Sequence, residues 1–326
     1  MELKYTLFSL FGLPVTLYAL CVMLALAAGL FMMYREQKKY RLRQDTTEIF
    51  ALLALPLGVI FSRLIYCLCR LDIYSEMGIG GVLRCWEGGY SLMGAALGAV
   101  LAAALTARIT RQSLLTLLDT FAPPAALMIA LCRFAEWASG QGVGMEVIHP
   151  FFQRFPFAVY SADWEIWFWA IFMLEGVGAW IIALVLQSKK IPAAPGSRAK
   201  MFAVLFCSSQ MFFEMLREDG FLRLQVFFLR LTQLGAMLVL VGVMLSALIK
   251  WAHLPKTQRM QSGKMALMWL LFLACAGVNI WMQFAIQKSA DLPVWACYAI
   301  MGLTCLGFGM ISWKTIFHYQ ENALKS

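Results

Sequence analysis

Apolar windows of about 20 residues recur from one end of this 326-residue chain to the other, with no large polar insert between them. That is the length an α-helix needs to cross roughly 30 Å of hydrocarbon. A backbone in that medium must satisfy its own hydrogen bonds, so each window reads as a helix. Composition agrees: 61% of the residues are apolar and 14% charged, against about 25% charged in soluble domains. The expected fold class is therefore all-α, a polytopic membrane helical bundle. Nine spans are expected, near residues 12–34, 47–69, 88–107, 114–135, 164–187, 201–216, 231–249, 265–286 and 293–313. The sixth is the weakest, being short and interrupted by Gln210 and Glu214.

Charge sets the expected orientation, because cytoplasmic connections retain Lys and Arg. The first, third, fifth and seventh connections and the C-terminus hold 17 of them, Arg35, Lys38, Lys39, Arg41 and Arg43 among them; the N-terminus and the other connections hold 7. The N-terminus is expected outside and the C-terminus in the cytoplasm. Basic loops against anionic inner-leaflet lipid account for the net charge of +9 without any nucleic acid. The first span is full length and its leading residues weakly charged, so insertion without cleavage is expected. Eight of nine cysteines fall in expected spans and Cys85 in a loop, which gives neither a disulfide framework nor a metal site. Trp164, Trp167 and Trp169 read as an aromatic belt at the outer edge of the fifth span.

A charged side chain at the bilayer centre costs about 2.5 to 3.5 kcal/mol on insertion scales, so an intramembrane charge needs a partner, a cavity or a function. Arg63 lies late in the second span, Arg133 closes the fourth, and Arg217 closes the sixth. All three belong to outer ends and are expected to form a basic ring that suits a phosphate, since a guanidinium grips one with two parallel hydrogen bonds. Glu136 follows Arg133 by one helical turn, and Gln210, Glu214 and Arg217 share one helical face. A structural Glu214–Arg217 pair stays open as the plainer reading. Glu48 and Glu175 fall close enough to helix ends to reach the interface. Asp119 opens the fourth span. Gly94 and Gly98, four apart in EGGYSLMGAALGA, read as a close helix contact.

Several stretches then combine in order and spacing: LPVTLYAL around Tyr18, GVIFSRLIY around Arg63, WEGGYSLMGAALG, LLDTFAPPAALMIALCRFAEWASGQGVG, FPFAVYS, and SSQMFFEMLREDG followed by LTQL. Over roughly residues 10 to 250 they resemble the prolipoprotein diacylglyceryl transferase family. The resemblance implies a seven-span domain over 1–250, with 251–326 as a two-span C-terminal extension. It implies a bacterial plasma-membrane enzyme with no cofactor that transfers the diacylglyceryl group of phosphatidylglycerol to the lipobox cysteine of preprolipoproteins, releasing glycerol phosphate. The partners implied are phosphatidylglycerol, the preprolipoprotein signal peptide and membrane lipid. Arg133 matches the family's essential arginine, and Gly140 and Gly144 match its glycines. Arg133, Glu136 and Glu214 are the expected catalytic groups. Tyr18, Arg63, Arg217, Gln210, Gly140 and Gly144 join Arg133 in binding substrate.

The match also departs from the pattern. Glu136 stands where the family has Asn, Gln141 where it has Glu, Met93 at an important histidine and Gln210 at a second functional arginine. His149, the histidine on the expected catalytic side, is a candidate replacement, although a loop histidine beside Pro150 is usually solvated. These departures motivate an alternative, a non-catalytic relative that binds an anionic phospholipid. A small-solute transporter ranks below both, because no internal repeat accompanies the polytopic pattern. The orientation is checked by cysteine labelling: Lys38→Cys should resist a membrane-impermeant thiol reagent applied to intact cells, and ready labelling would reverse the topology.

Overall fold

The computed structural model describes residues 6–10, 13–84, 88–188, 191, 194–218, 230–255, 259–287 and 292–324. Cys85, parts of the 188–200 linker and most of the connection after Glu218 lie outside the described residues. A short hairpin, β1 (Thr6–Leu10) against β2 (Leu13–Thr16), leads into α1 (Leu17–Lys39). There Thr16 caps the helix, its Oγ1 accepting from Ala19 N at 3.2 Å, and Lys38 and Lys39 occupy the last turn, where cations suit the helix dipole. Then come α2 (Thr46–Cys69), α3 (Leu71–Leu83), α4 (Leu92–Thr110) and α5 (Leu114–Ala135). A second hairpin, β3 (Ala158–Ser161) with β4 (Ile166–Trp169), precedes α6 (Ile171–Gln187). The chain finishes with α7 (Ser197–Leu216), α8 (Leu231–His253), α9 (Ser262–Gln287) and α10 (Val294–Leu324).

Eight of these helices are long and apolar enough to cross a membrane, and the all-α polytopic fold class stands. Two expected spans change. The first begins at Leu17 rather than near residue 12, because the residues before it pair as a hairpin. The fifth, expected from 164, begins at Ile171, because residues 166–169 are strand β4. Trp167 and Trp169 therefore sit in the hairpin, and the remaining 17-residue helix is only about 25 Å long. The short α3 and both hairpins escaped the hydropathy reading, which finds only elements as long as the bilayer is thick.

Successive spans run in alternate directions, so one end of the bundle collects the starts of α1, α4, α6, α8 and α10 and the ends of α2, α5, α7 and α9. Small residues let them approach. A Cβ on Gly94 would lie 2.3 Å from Phe61 O and one on Gly98 2.5 Å from Leu57 O, so α4 rests directly on the backbone of α2, the contact their spacing leads one to expect. Ser62 Oγ adds a clamp, donating to Ser91 O at 2.8 Å. The C-terminal pair is packed into the bundle: Cys207 and Met211 of α7, Leu240 and Met244 of α8, Phe272 of α9 and Phe308 of α10 form one buried cluster. At the far end Asp119 is buried and accepts from Gly196 N (2.6 Å) and Ala199 N (2.9 Å), capping α7 from α5.

The α2–α4 contact makes a stability prediction. Gly98→Ala should destabilise the protein by roughly 1 to 3 kcal/mol, since backbone must move to admit the methyl. Gly277→Ala, where a Cβ meets nothing, should be neutral or slightly stabilising. Thermal unfolding in detergent compares the two, and equal midpoints would contradict the packing.

Candidate functional site

The last turn of α5 carries Arg133, and the chain winds on through a 3-10 turn at Glu136–Ala138. Arg133 and Glu136 thus stay one turn apart and pair directly, Nη1 donating to Oε1. Arg133 Nε also lies 2.6 Å from Oε2 of Glu175, which α6 brings in from its first turns. At the end of α7 the backbone of Arg217 turns extended, with φ −80° and ψ 135°. Its side chain then leaves the helix surface and reaches both acids: Nη1 is 3.0 Å from Glu175 Oε2 and Nη2 is 3.4 Å from Glu136 Oε2. The four side chains close a tetrad of two cations and two anions. None is more than 12% exposed, and Glu175 is 2% exposed.

The loop after the 3-10 turn lies against this tetrad and ties its elements together. Gly142 O accepts from Phe172 N (2.9 Å), Gly144 N donates to Trp169 O (2.8 Å), and Glu218 N donates to Val143 O (3.0 Å). Gly142 has φ +73°, and a Cβ there would lie 2.2 Å from Glu136 Oε2; one on Gly144 would lie 2.7 Å from Leu216 O. Both positions need glycine because of close approach. Gly140 meets nothing and is set only by its φ of +68°. Gln141 is exposed.

The structure rearranges several expected partners. Arg63 does not join a basic ring: it is 3% exposed and its donors go to backbone carbonyls, Nε to Val82 O (3.1 Å), Nη1 to Gly88 O and Gly89 O, and Nη2 to Gly81 O (2.9 Å) and Arg84 O (3.2 Å). It knots α3 to the start of α4. Glu214 does not pair with Arg217. Arg217 has left the helix, and the Glu214 carboxylate instead faces Arg230 Nη1 at 3.8 Å, outside the tetrad. Gln210 is buried, and its Nε2 has no hydrogen-bond partner among the described residues. Tyr18, in the first turn of α1, lies within electrostatic reach of Glu136, Arg133 and Arg217. Met93 is wedged against Gly235 of α8, its Sδ 2.7 Å from where a Cβ would stand. His149 is exposed, and its Nδ1 accepts from Phe151 N at 3.2 Å.

Glu175 is the residue the sequence reading missed. Read as close enough to a helix end to reach the interface, the acid calls for no partner. Its real signal is a lone carboxylate beside Gly176 and Gly178 in an otherwise apolar run, IFMLEGVGAW. Gly176 admits the Phe134 ring, 2.4 Å from its ideal Cβ, and this brings α6 close enough to α5 for the acid to meet Arg133.

Comparison with known proteins places the chain in a family. The family description "prolipoprotein diacylglyceryl transferase" matches residues 5–252. The chain belongs to that family. Among its curated relatives is the phosphatidylglycerol–prolipoprotein diacylglyceryl transferase of Clostridium novyi, 26% identical over 247 residues that make up 73% of this chain and 93% of the relative. The enzyme of the same name from Paenarthrobacter aurescens is 27% identical over 227 residues, 64% of this chain and 70% of its own. That of Finegoldia magna is 24% identical over 241 residues, 73% and 92% respectively. This transferase-family match contains every member of the tetrad and stops before α9, so α9 and α10 lie beyond it.

Removing one partner of a buried ion pair leaves its mate unpaired and costs about 3 to 5 kcal/mol. Glu175→Ala should therefore destabilise the protein by about that much, with Glu175→Gln milder because it still accepts a hydrogen bond. Chemical denaturation in detergent reads the difference; a wild-type midpoint for Glu175→Ala would mean that the tetrad is not formed.

Proposed function

We propose that this family member is a phosphatidylglycerol–prolipoprotein diacylglyceryl transferase of the bacterial plasma membrane, with the tetrad end facing outward, the N-terminus outside and the C-terminus in the cytoplasm. The observation that carries the reading is the convergence of two guanidiniums, Arg133 and Arg217, on the same two acids, Glu136 and Glu175, at one end of the bundle. A buried salt bridge is a poor source of net stability, since apolar residues of similar volume often do as well or better. Retaining four such groups favours a use for them.

The phosphodiester of phosphatidylglycerol is the natural anion for this pair. In the proposed mechanism it enters between Arg133 and Arg217 and replaces part of their contact with Glu136 and Glu175. The tetrad alone is neutral by formal charge, so an added anion makes one carboxylate a strong proton acceptor. Glu136 takes the proton of the lipobox thiol. The sulfur attacks the glyceryl carbon that bears the phosphate ester; the carbon–sulfur bond forms as the carbon–oxygen bond breaks, and glycerol phosphate departs with the electron pair. The two arginines hold the charge that develops on it, and Glu136 later returns its proton to water. Tyr18 and the Gln210 Nε2, which has no partner among the described residues, supply polar contacts to the glycerol portions. Gly142 and Gly144, with Gly140 at the turn, keep the loop backbone against the tetrad. Glu214 and Arg63 are assigned supporting roles, through Arg230 and the α3–α4 connection respectively.

Met93 and Gln210 favour the second reading, a relative that binds the lipid without reacting it. Lipidation of a lipobox peptide with labelled phosphatidylglycerol decides. On the enzymatic reading the wild type is active, and Arg133→Ala and Glu136→Gln each lose about 100-fold or more. Arg133→Lys binds the lipid only in part, because the two-pronged grip is gone. If only the Met93→His, Gln210→Arg double variant transfers lipid, the second reading replaces the first. Equal binding of phosphatidylcholine and phosphatidylglycerol would sink both.

A further inference from the structure

Gln283 lies in α9, outside the stretch matched to the family, in a helix that is otherwise almost wholly apolar on this turn. An amide in such a helix demands a partner, and it finds one in the neighbouring helix: Gln283 Nε2 donates to Gln233 Oε1 at 3.0 Å. Gln233 is 3% exposed and stands in the first turn of α8. The same oxygen accepts from the backbone N–H of Arg230 at 3.4 Å. Arg230 in turn grips the end of α7, Nη2 donating to Arg217 O at 2.7 Å and Nη1 to Glu214 O. Arg217 is the cation that spans both acids of the tetrad. An unbroken series of hydrogen bonds therefore runs from the C-terminal extension to the candidate site.

We propose that Gln283 is a positioning residue: through Gln233 and Arg230 it fixes the extended backbone at Arg217, and so the aim of that guanidinium into the tetrad. The physical reason is the geometry of α7. Its last turn has carbonyls with no intrahelical partner, and Arg230 supplies two of them with charged donors. A donor anchored on the first turn of a neighbouring helix is only as fixed as that turn, and Gln283 fixes it from the far side. The extension thereby acts as an outer wall that sets the site's register. The effect on lipid binding rests on the phosphate-site reading above; the positioning itself does not.

The test uses the full chain in phosphatidylcholine nanodiscs, with and without phosphatidylglycerol, and compares wild type, Gln283→Leu and Trp281→Leu. Trp281 is on the same helix and 62% exposed. Hydrogen exchange is read at Glu218 N–H, which bonds Val143 O at 3.0 Å, and in the α9–α10 interior. Gln283→Leu should raise exchange at Glu218 about threefold or more, leave the α9–α10 interior and the unfolding midpoint unchanged, and weaken phosphatidylglycerol binding by a similar factor. Trp281→Leu should do none of these. Unchanged exchange at Glu218, or an equal rise throughout α9 and α10, overturns the proposal, the second because it marks general loosening. If exchange responds while wild type binds no phosphatidylglycerol, the positioning role stands and the phosphate-site reading falls.

Discussion

Charge inside an apolar slab is the constraint on which the rest of this structure turns. Arg133, Glu136, Glu175 and Arg217 come from the end of α5, the 3-10 turn after it, the start of α6 and the end of α7, and their side chains are only 2 to 12% exposed. Taking such ions from water costs several kcal/mol apiece, which only close opposite charges and well-placed hydrogen bonds offset. Closing the tetrad therefore dictates local structure: α7 must release Arg217 into an extended conformation, α6 must approach α5 across Gly176, and the loop must pass with no side chain at Gly142. The hairpin β3–β4 follows from the same demand, since its Trp169 carbonyl and the start of α6 receive that loop.

What sequence could read was whatever repeats along one element. Hydropathy located the helical spans, and the four-residue spacing of Gly94 and Gly98 announced a close helix contact, whose partner, α2, only the structure names. Arg133 and Glu136 were legible as neighbours because a single helical turn relates them. Where the partner comes from another element the reading failed. Helical periodicity puts Arg217 on one face with Gln210 and Glu214, yet periodicity stops applying at Leu216, where the helix ends. Arg63 looked like a cation facing the headgroups, and its carbonyl partners become visible only once α3 folds back over it. Glu175 reads from sequence as an acid that can reach the interface from a helix end, and its partners Arg133 and Arg217 come from two other elements that no spacing along α6 announces.

The departures from the family pattern also acquire physical content. Met93 is an apolar filler against Gly235, so the position has become part of helix packing. Gln210 is buried and its Nε2 donor has no partner among the described residues, so its position remains polar without carrying charge. With Glu136 standing where the family has an amide and Gln141 where it has an acid, the signature keeps the number of carboxylates the resemblance leads one to expect but carries one of them at Glu136, in the tetrad. Charge has thus been redistributed within one end of the bundle, and the second acid is what balances Arg217.

The account's central claim is that Arg133 and Arg217 open their pairing to receive the lipid phosphate. Solid-state NMR on the arginine-labelled full chain in bilayers measures it directly, through dipolar contact between the phosphorus of phosphatidylglycerol and guanidinium nitrogens, with Arg133→Lys used to assign the signals. The account predicts contacts to both Arg133 and Arg217. Phosphorus contacts confined to other arginines, with the signals of these two unchanged by the lipid, would contradict it.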